Sequence, residues 1–158
     1  MFKIFTKKNF IVSAPISGRL IDLTEIEDEV FASKMMGDGF AVRPINGNNL
    51  VIAPVEGKIV SVSTTRHAVG IETTDGIEVL VHVGIDTVRL QGKGFKLYVA
   101  DGQKVKRGDK LIEFDEKIMS EEKLDMAILT IFVKGYDKKV ILDKQYGQEV
   151  ASNEVLIL

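Results

Sequence analysis

His67-Ala68-Val69-Gly70-Ile71-Glu72-Thr73-Thr74-Asp75-Gly76-Ile77-Glu78-Val79-Leu80-Val81-His82-Val83 is the stretch that decides the fold of this chain. Two runs rich in β-branched residues flank Asp75-Gly76, the strongest short-range signal for a hairpin with a two-residue turn. With that turn, Thr74 faces Ile77, Val69 faces His82 and His67 faces Gly84. Strand side chains two apart share a face. Ile77, Val79, Val81 and Val83 therefore form an apolar stripe that belongs in a core. His67 and His82 share the other, more exposed face with Glu78 and Leu80. As diagonal neighbours their Cα atoms stand roughly 7–8 Å apart, within reach of two imidazoles.

The rest of the chain repeats this texture. Fourteen glycines recur at short intervals, separated by short runs rich in Val and Ile. That is the pattern of many short strands, and it predicts an all-β fold, an antiparallel sandwich or barrel-like single domain. Only Glu25 to Met36 and Glu116 to Leu124 carry helix-like spacing, enough for one or two short helical turns. Ala14-Pro15-Ile16-Ser17-Gly18-Arg19-Leu20 is echoed by Ala53-Pro54-Val55-Glu56-Gly57-Lys58-Ile59, which suggests two related units around one core. In each, proline fixes φ and glycine is expected to turn left-handed. A second, looser echo pairs Val30…Gly37-Asp38 with Val105…Gly108-Asp109. Residues 1–12 read as an N-terminal extension and residues 13–158 as the folded unit.

Composition narrows the chemistry. A net charge of −2 with no basic stripe gives no case for nucleic acid. The absence of cysteine excludes disulfides and thiolate chemistry. No apolar run approaches the ~20 residues of a membrane span, and the N-terminus has no signal-peptide pattern; a cytoplasmic protein is expected. Phe2, Ile4 and Phe5 beside Lys3, Lys7 and Lys8 allow peripheral contact with a membrane surface.

The chain holds two histidines, and the hairpin brings both to one spot. A neutral imidazole is a nucleophile that can accept and release a phosphoryl group, and a second imidazole can balance the new charge. A two-histidine zinc site is the rival, with Glu78 or Asp86 as a third ligand, but no H-x-H or H-E-x-x-H spacing supports it. A lipoyl- or biotinyl-type carrier is another, yet it needs a lysine at a hairpin tip where this chain has Asp75-Gly76. No metal and no cofactor are expected.

The run Val81-His82-Val83-Gly84-Ile85-Asp86-Thr87-Val88, then Leu90-x-Gly92-x-Gly94-Phe95, resembles the active-site signature of the glucose-type enzyme IIA family of the bacterial sugar phosphotransferase system. Thr65-Arg66-His67-Ala68 and the fifteen-residue gap from His67 to His82 are similar to that family too. So are Val30-Phe31-Ala32-x-Lys34, Gly37-Asp38-Gly39 and Val105-x-x-Gly108-Asp109. The resemblance implies an antiparallel β-sandwich with both histidines in a shallow apolar depression. It implies phosphorylation of His82 on Nε2 by a small histidine phosphocarrier protein, then transfer to a cysteine on a sugar-specific IIB domain. It gives His67 a steadying role, with the Thr65 hydroxyl bonded to it, and has the Gly84 carbonyl hold Nδ1–H of His82. Asp86, Asp28, Val30, Phe31 and Val88 match rim residues that meet partner proteins, and regulatory proteins are further partners it allows. By simpler readings Asp28 is a helix N-cap and Phe31 a core residue. Leu80 and Val83 depart from the pattern, standing where relatives often carry aromatic residues.

Overall fold

A computed structural model describes residues 10–158; the proposed membrane contact of residues 1–8 lies outside them. In chain order the strands and helices are β1 (Val12–Ser13), β2 (Gly18–Ile21), α1 (Glu29–Ala32), β3 (Asp38–Pro44) and β4 (Leu50–Ile52). Next come β5 (Gly57–Val62), β6 (Ala68–Glu72), β7 (Glu78–Val83), β8 (Phe95–Leu97) and β9 (Lys104–Val105). The last are β10 (Lys110–Phe114), α2 (Glu116–Glu121), β11 (Ile128–Lys134), β12 (Glu149–Val150) and β13 (Val155–Ile157). An eight-stranded sheet runs β12-β2-β3-β11-β7-β6-β5-β9, facing a three-stranded sheet β4-β10-β8 and the pair β1-β13. Every strand pair is antiparallel. The expected all-β antiparallel sandwich is what the chain forms.

The expected hairpin is present, but its register is one residue off. Ala68 pairs with His82, Val69 with Val81 and Glu72 with Glu78. The Thr73 N–H donates to the Ile77 carbonyl and Gly76 N–H to the Thr73 carbonyl, so three residues, Thr74-Asp75-Gly76, close the turn. Gly76, at φ +81°, fills the left-handed position such a three-residue loop requires. The apolar stripe survives the shift: Val79, Val81 and Val83 are fully buried in the main core between the sheets.

The opposite face is not an open one. Leu80 packs against a second, smaller core of Ile21, Leu23, Ile26, Phe31, Ala41, Ile85, Ala127, Leu129 and Ile131. Strand β11 reads Ile128-Leu129-Thr130-Ile131-Phe132, buried on both faces, so the sheet centre needs a cover on each side. The segment expected as one helix from Glu25 to Met36 supplies it in pieces. A 3-10 turn at Leu23–Glu25 is followed by the single turn α1, which Asp28 caps by accepting from Val30 N–H. The second predicted helix shortens to α2.

The first echo is a structural duplication. The Ser13 N–H donates to the Pro54 carbonyl and, reciprocally, Ile52 N–H donates to the Pro15 carbonyl, both at 2.9 Å. Strands β2 and β5 start at the echo glycines. Neither glycine is left-handed, contrary to expectation; a Cβ at Gly18 would collide with the Arg43 carbonyl and one at Gly57 with the Glu72 carbonyl. Close approach of backbones, not turn geometry, demands them.

The second echo lies elsewhere than expected. Leu20 exchanges backbone bonds with Gly147 and Gln148 as Ile59 does with Gly102 and Gln103. Ala14 does so with Asn153 and Glu154, as Ala53 does with Gly108 and Asp109. The duplicated partner is therefore Gly102-Gln103-x-Val105 against Gly147-Gln148-x-Val150. Strand pairing extends the relation: Arg43 corresponds to Glu72, Phe40 to Val69 and Thr130 to Val81. Thr130 and Val81 pair with each other, so the two halves meet at that point.

Candidate functional site

The two histidines meet despite the shifted register. His82 is the penultimate residue of β7, while His67 lies just outside β6, after Arg66 in the left-handed region at φ 59°. Outside the strand, His67 departs from the alternation that would otherwise put it on the core face with Val69. The rings stand 4.9 Å apart, centroid to centroid, nearly perpendicular at 82°. On its other side His82 meets the Phe31 ring at 4.8 Å. Phe31 is thus both a core residue and a wall of the histidine pocket.

The surroundings set the protonation of each ring. Burial, then the neighbouring His67, push the pKa of His82 down to about 4, against smaller opposing effects of the Gly84 backbone and Asp28. His82 is a neutral imidazole at any physiological pH. Its Nδ1 is buried and, among the described residues, makes no hydrogen bond; the Gly84 backbone is close enough to favour a proton without reaching bonding geometry. Burial lowers the pKa of His67 as well, partly offset by the Thr65 backbone.

His67 is held from behind. Thr65 Oγ1 lies 2.7 Å from its Nδ1 and Ser63 Oγ lies 3.4 Å away. Ser63 Oγ also accepts from the backbone N–H groups of His67 and Ala68, both at 3.1 Å. Sequence reasoning named Thr65 and missed Ser63; a serine four residues before a histidine that directly precedes a strand, in a turn of Ser-Thr-Thr, is the signal.

The remaining candidates surround the pair in distinct ways. Gly84 is left-handed at φ +80°, and a Cβ there would press on Thr87 and on Met126 Sδ at 2.9 Å. Asp86 is exposed and left-handed, opening a 3-10 turn without capping it. Val30 and Val88 are large apolar residues left 45% and 55% exposed, and Val30 adjoins Phe31, the wall of the histidine pocket. Met35 and Met36, 77% and 41% exposed, extend the exposed apolar surface beyond α1 and were not singled out by sequence. Among the described residues no group of three or more His, Asp or Glu converges to hold a metal ion, and the hairpin tip carries no lysine.

Comparison with known proteins places this geometry. Residues 10–138 match the family described as phosphoenolpyruvate-dependent sugar phosphotransferase system, EIIA 1. The chain belongs to that family. An EIIA relative from Oceanobacillus iheyensis, named a glucose-specific EIIA component, is 43% identical over 100% of this chain and 95% of its own length. A glucose-specific EIICBA component of Streptococcus pneumoniae is 41% identical over 98% of this chain, which spans only 20% of that larger protein. The solved structure of glucose permease IIA from Mycoplasma capricolum superposes with a TM-score of 0.82 at 36% identity, covering 99% of this chain and 98% of that one. This EIIA chain is therefore a component of the sugar phosphotransferase system. No helix among its described residues is long and apolar enough to cross a membrane.

Proposed function

We propose that residues 13–158 form a cytoplasmic phosphoryl carrier whose acceptor is Nε2 of His82. The observation that carries this reading is a neutral imidazole, its Nδ1 side buried, with a second imidazole 4.9 Å away inside an apolar rim. The donor is the phosphohistidine of a small phosphocarrier protein and the acceptor a cysteine thiolate of a sugar-specific IIB domain. Names of relatives point to a sugar of the glucose type.

Each transfer exchanges one bond for another. As the donor N–P bond breaks, the Nε2 lone pair of His82 forms a new N–P bond, and Nδ1 keeps its proton. In the second step the thiolate forms an S–P bond while the electron pair of N–P returns to the ring. The phosphoryl group moves in line between two nucleophiles, so the task is positioning and charge balance. Ser63 Oγ, having accepted two N–H groups, has its proton left to donate towards Nδ1 of His67. With Nδ1 an acceptor, His67 carries its proton on Nε2 and donates it to a phosphoryl oxygen. Exposed Val30 and Val88, with Phe31 behind, keep water from the N–P bond and meet the partners, and Asp28 and Asp86 steer basic surfaces towards the rim.

The test is intact mass after incubation with phosphoenolpyruvate, enzyme I and the small phosphocarrier protein, read at alkaline pH. A gain of about 80 Da, one phosphoryl group, that is absent in His82→Ala supports the reading; equal gain in both overturns the site.

A further inference from the structure

The backbone leaving His82 is tied to one short segment in front of β11. The Gly84 N–H donates to the Ala127 carbonyl at 2.9 Å, and Ile85 N–H donates to the Asp125 carbonyl at 2.8 Å. Behind Gly84 sits the Met126 side chain, close enough that no β-carbon fits between them. Whatever fixes Asp125-Met126-Ala127 therefore fixes the backbone that follows His82 out of β7.

The Asp125 carboxylate fixes it. Its Oδ1 accepts from the Ala127 N–H at 3.1 Å, folding the segment into a tight turn. The same carboxylate takes Arg43 in a two-pronged grip, Nε to Oδ1 at 3.1 Å and Nη2 to Oδ2 at 2.7 Å. Arg43 stands on β3, a strand of the sheet centre that pairs with β11 and not with β7. A guanidinium fork on a rigid strand has little freedom, so it sets the carboxylate in angle as well as position. Burial alone would raise the Asp125 pKa, but the Arg43 bonds and charge and the Ala127 N–H hold it below the usual carboxylate value. The pair is partly exposed and adds little to overall stability; its fork geometry and its place suit it better to alignment.

We infer that Asp125, locked by Arg43, is a positioning residue for phosphoryl transfer: it holds Gly84 and Ile85 through the 125–127 turn and so aims the His82 ring. This rests on His82 being the acceptor. Neither residue touches the imidazole, and the effect passes through two backbone hydrogen bonds and the Met126 contact.

The test uses the full chain and the variants Asp125→Asn, Asp125→Ala and Arg43→Lys, each checked for fold by circular dichroism and thermal melting. Two readouts are taken: steady-state phosphoryl acceptance from the phosphorylated carrier protein, and the ¹⁵N imidazole resonances of His82 against pH. Expected is a fall in kcat of tenfold or more in the Asp125→Asn variant with KM unchanged. Its His82 resonances should shift at a melting temperature within a few degrees of wild type. Arg43→Lys, which keeps the charge and loses the fork, should recover only part of the rate. Wild-type kcat and unmoved His82 resonances in folded Asp125→Asn overturn the inference; should Asp125→Ala unfold, Asp125→Asn still decides. If wild-type protein accepts no phosphoryl group, the carrier reading falls, while the resonances still report whether Asp125 aims the ring.

Discussion

Two halves of one sheet share a plan, and two of the positions at which they differ are those of the histidines. The correspondence that matches Thr130 to Val81 carries Ile131 onto His82 and Asp38 onto His67. In the first half Ile131 is fully buried in the smaller core. Asp38 is satisfied there by the Gly39 and Val140 N–H groups and by Lys34 at 3.2 Å. In the second half two imidazoles occupy those places, one of them with a buried nitrogen that has no partner among the described residues. The duplicated frame is the same; one copy spends these positions on packing and the other leaves them chemically unfinished. The histidine pair is a local departure from a structural default.

The largest test removes that departure. His82→Ile, which gives the second half the residue of the first, should abolish phosphoryl acceptance and leave a folded chain, as intact mass and circular dichroism will show. Acid stability should respond next. Because the folded pKa of His82 is about 4, below the unfolded value near 6.5, the unfolded state gains protons that the native state refuses. Wild-type stability should fall as pH drops from about 6.5 towards 4, by at most roughly 3 kcal/mol, and urea titrations of His82→Ile should lack that part of the slope.

Replacing His67 comes third. His67→Gln should still take up the phosphoryl group but pass it to a IIB domain about 10²-fold more slowly, the usual worth of one proton-donating side chain, measured by single-turnover transfer. The shared frame should answer alike in both halves. Gly18→Ala and Gly57→Ala each force a Cβ onto a carbonyl oxygen and should cost about 2 kcal/mol apiece in urea unfolding; a clear inequality would break the correspondence. Smallest is the seam itself. Thr130 is fully buried and its hydroxyl has no hydrogen-bond partner among the described residues, so Thr130→Val should stabilise the chain by about 1 kcal/mol.

Much of this was legible in the sequence because strands announce themselves through alternation. Val79, Val81 and Val83 defined the core side of β7, and Ala14-Pro15 against Ala53-Pro54 exposed the duplication. The register was not legible, since Asp75-Gly76 serves a two-residue turn and the end of a three-residue one equally well. His67 and His82 nevertheless meet, because His67 lies outside β6 and does not follow the parity that the shifted register imposes. The smaller core went unseen for a similar reason: Ile128 to Phe132 is buried on both faces, which erases the alternation that separates inside from outside. Ser63, Arg43 and Asp125 act across turns or distant strands, and nothing in their local pattern marks them.

The pairing of β1 with β13 has a mechanical consequence. Val12 lies across from Ile157 and Ser13 from Val155, so the two ends of the described chain leave side by side. Where an EIIA unit forms a fifth of a longer chain, as in the Streptococcus pneumoniae relative, a tug at such ends acts across one short ladder. Antiparallel strands loaded this way peel open one rung at a time. The yielding part is then this short ladder, continued by the bonds of Ala14 to Asn153 and Glu154, and it opens before the load reaches the eight-stranded sheet that carries His82.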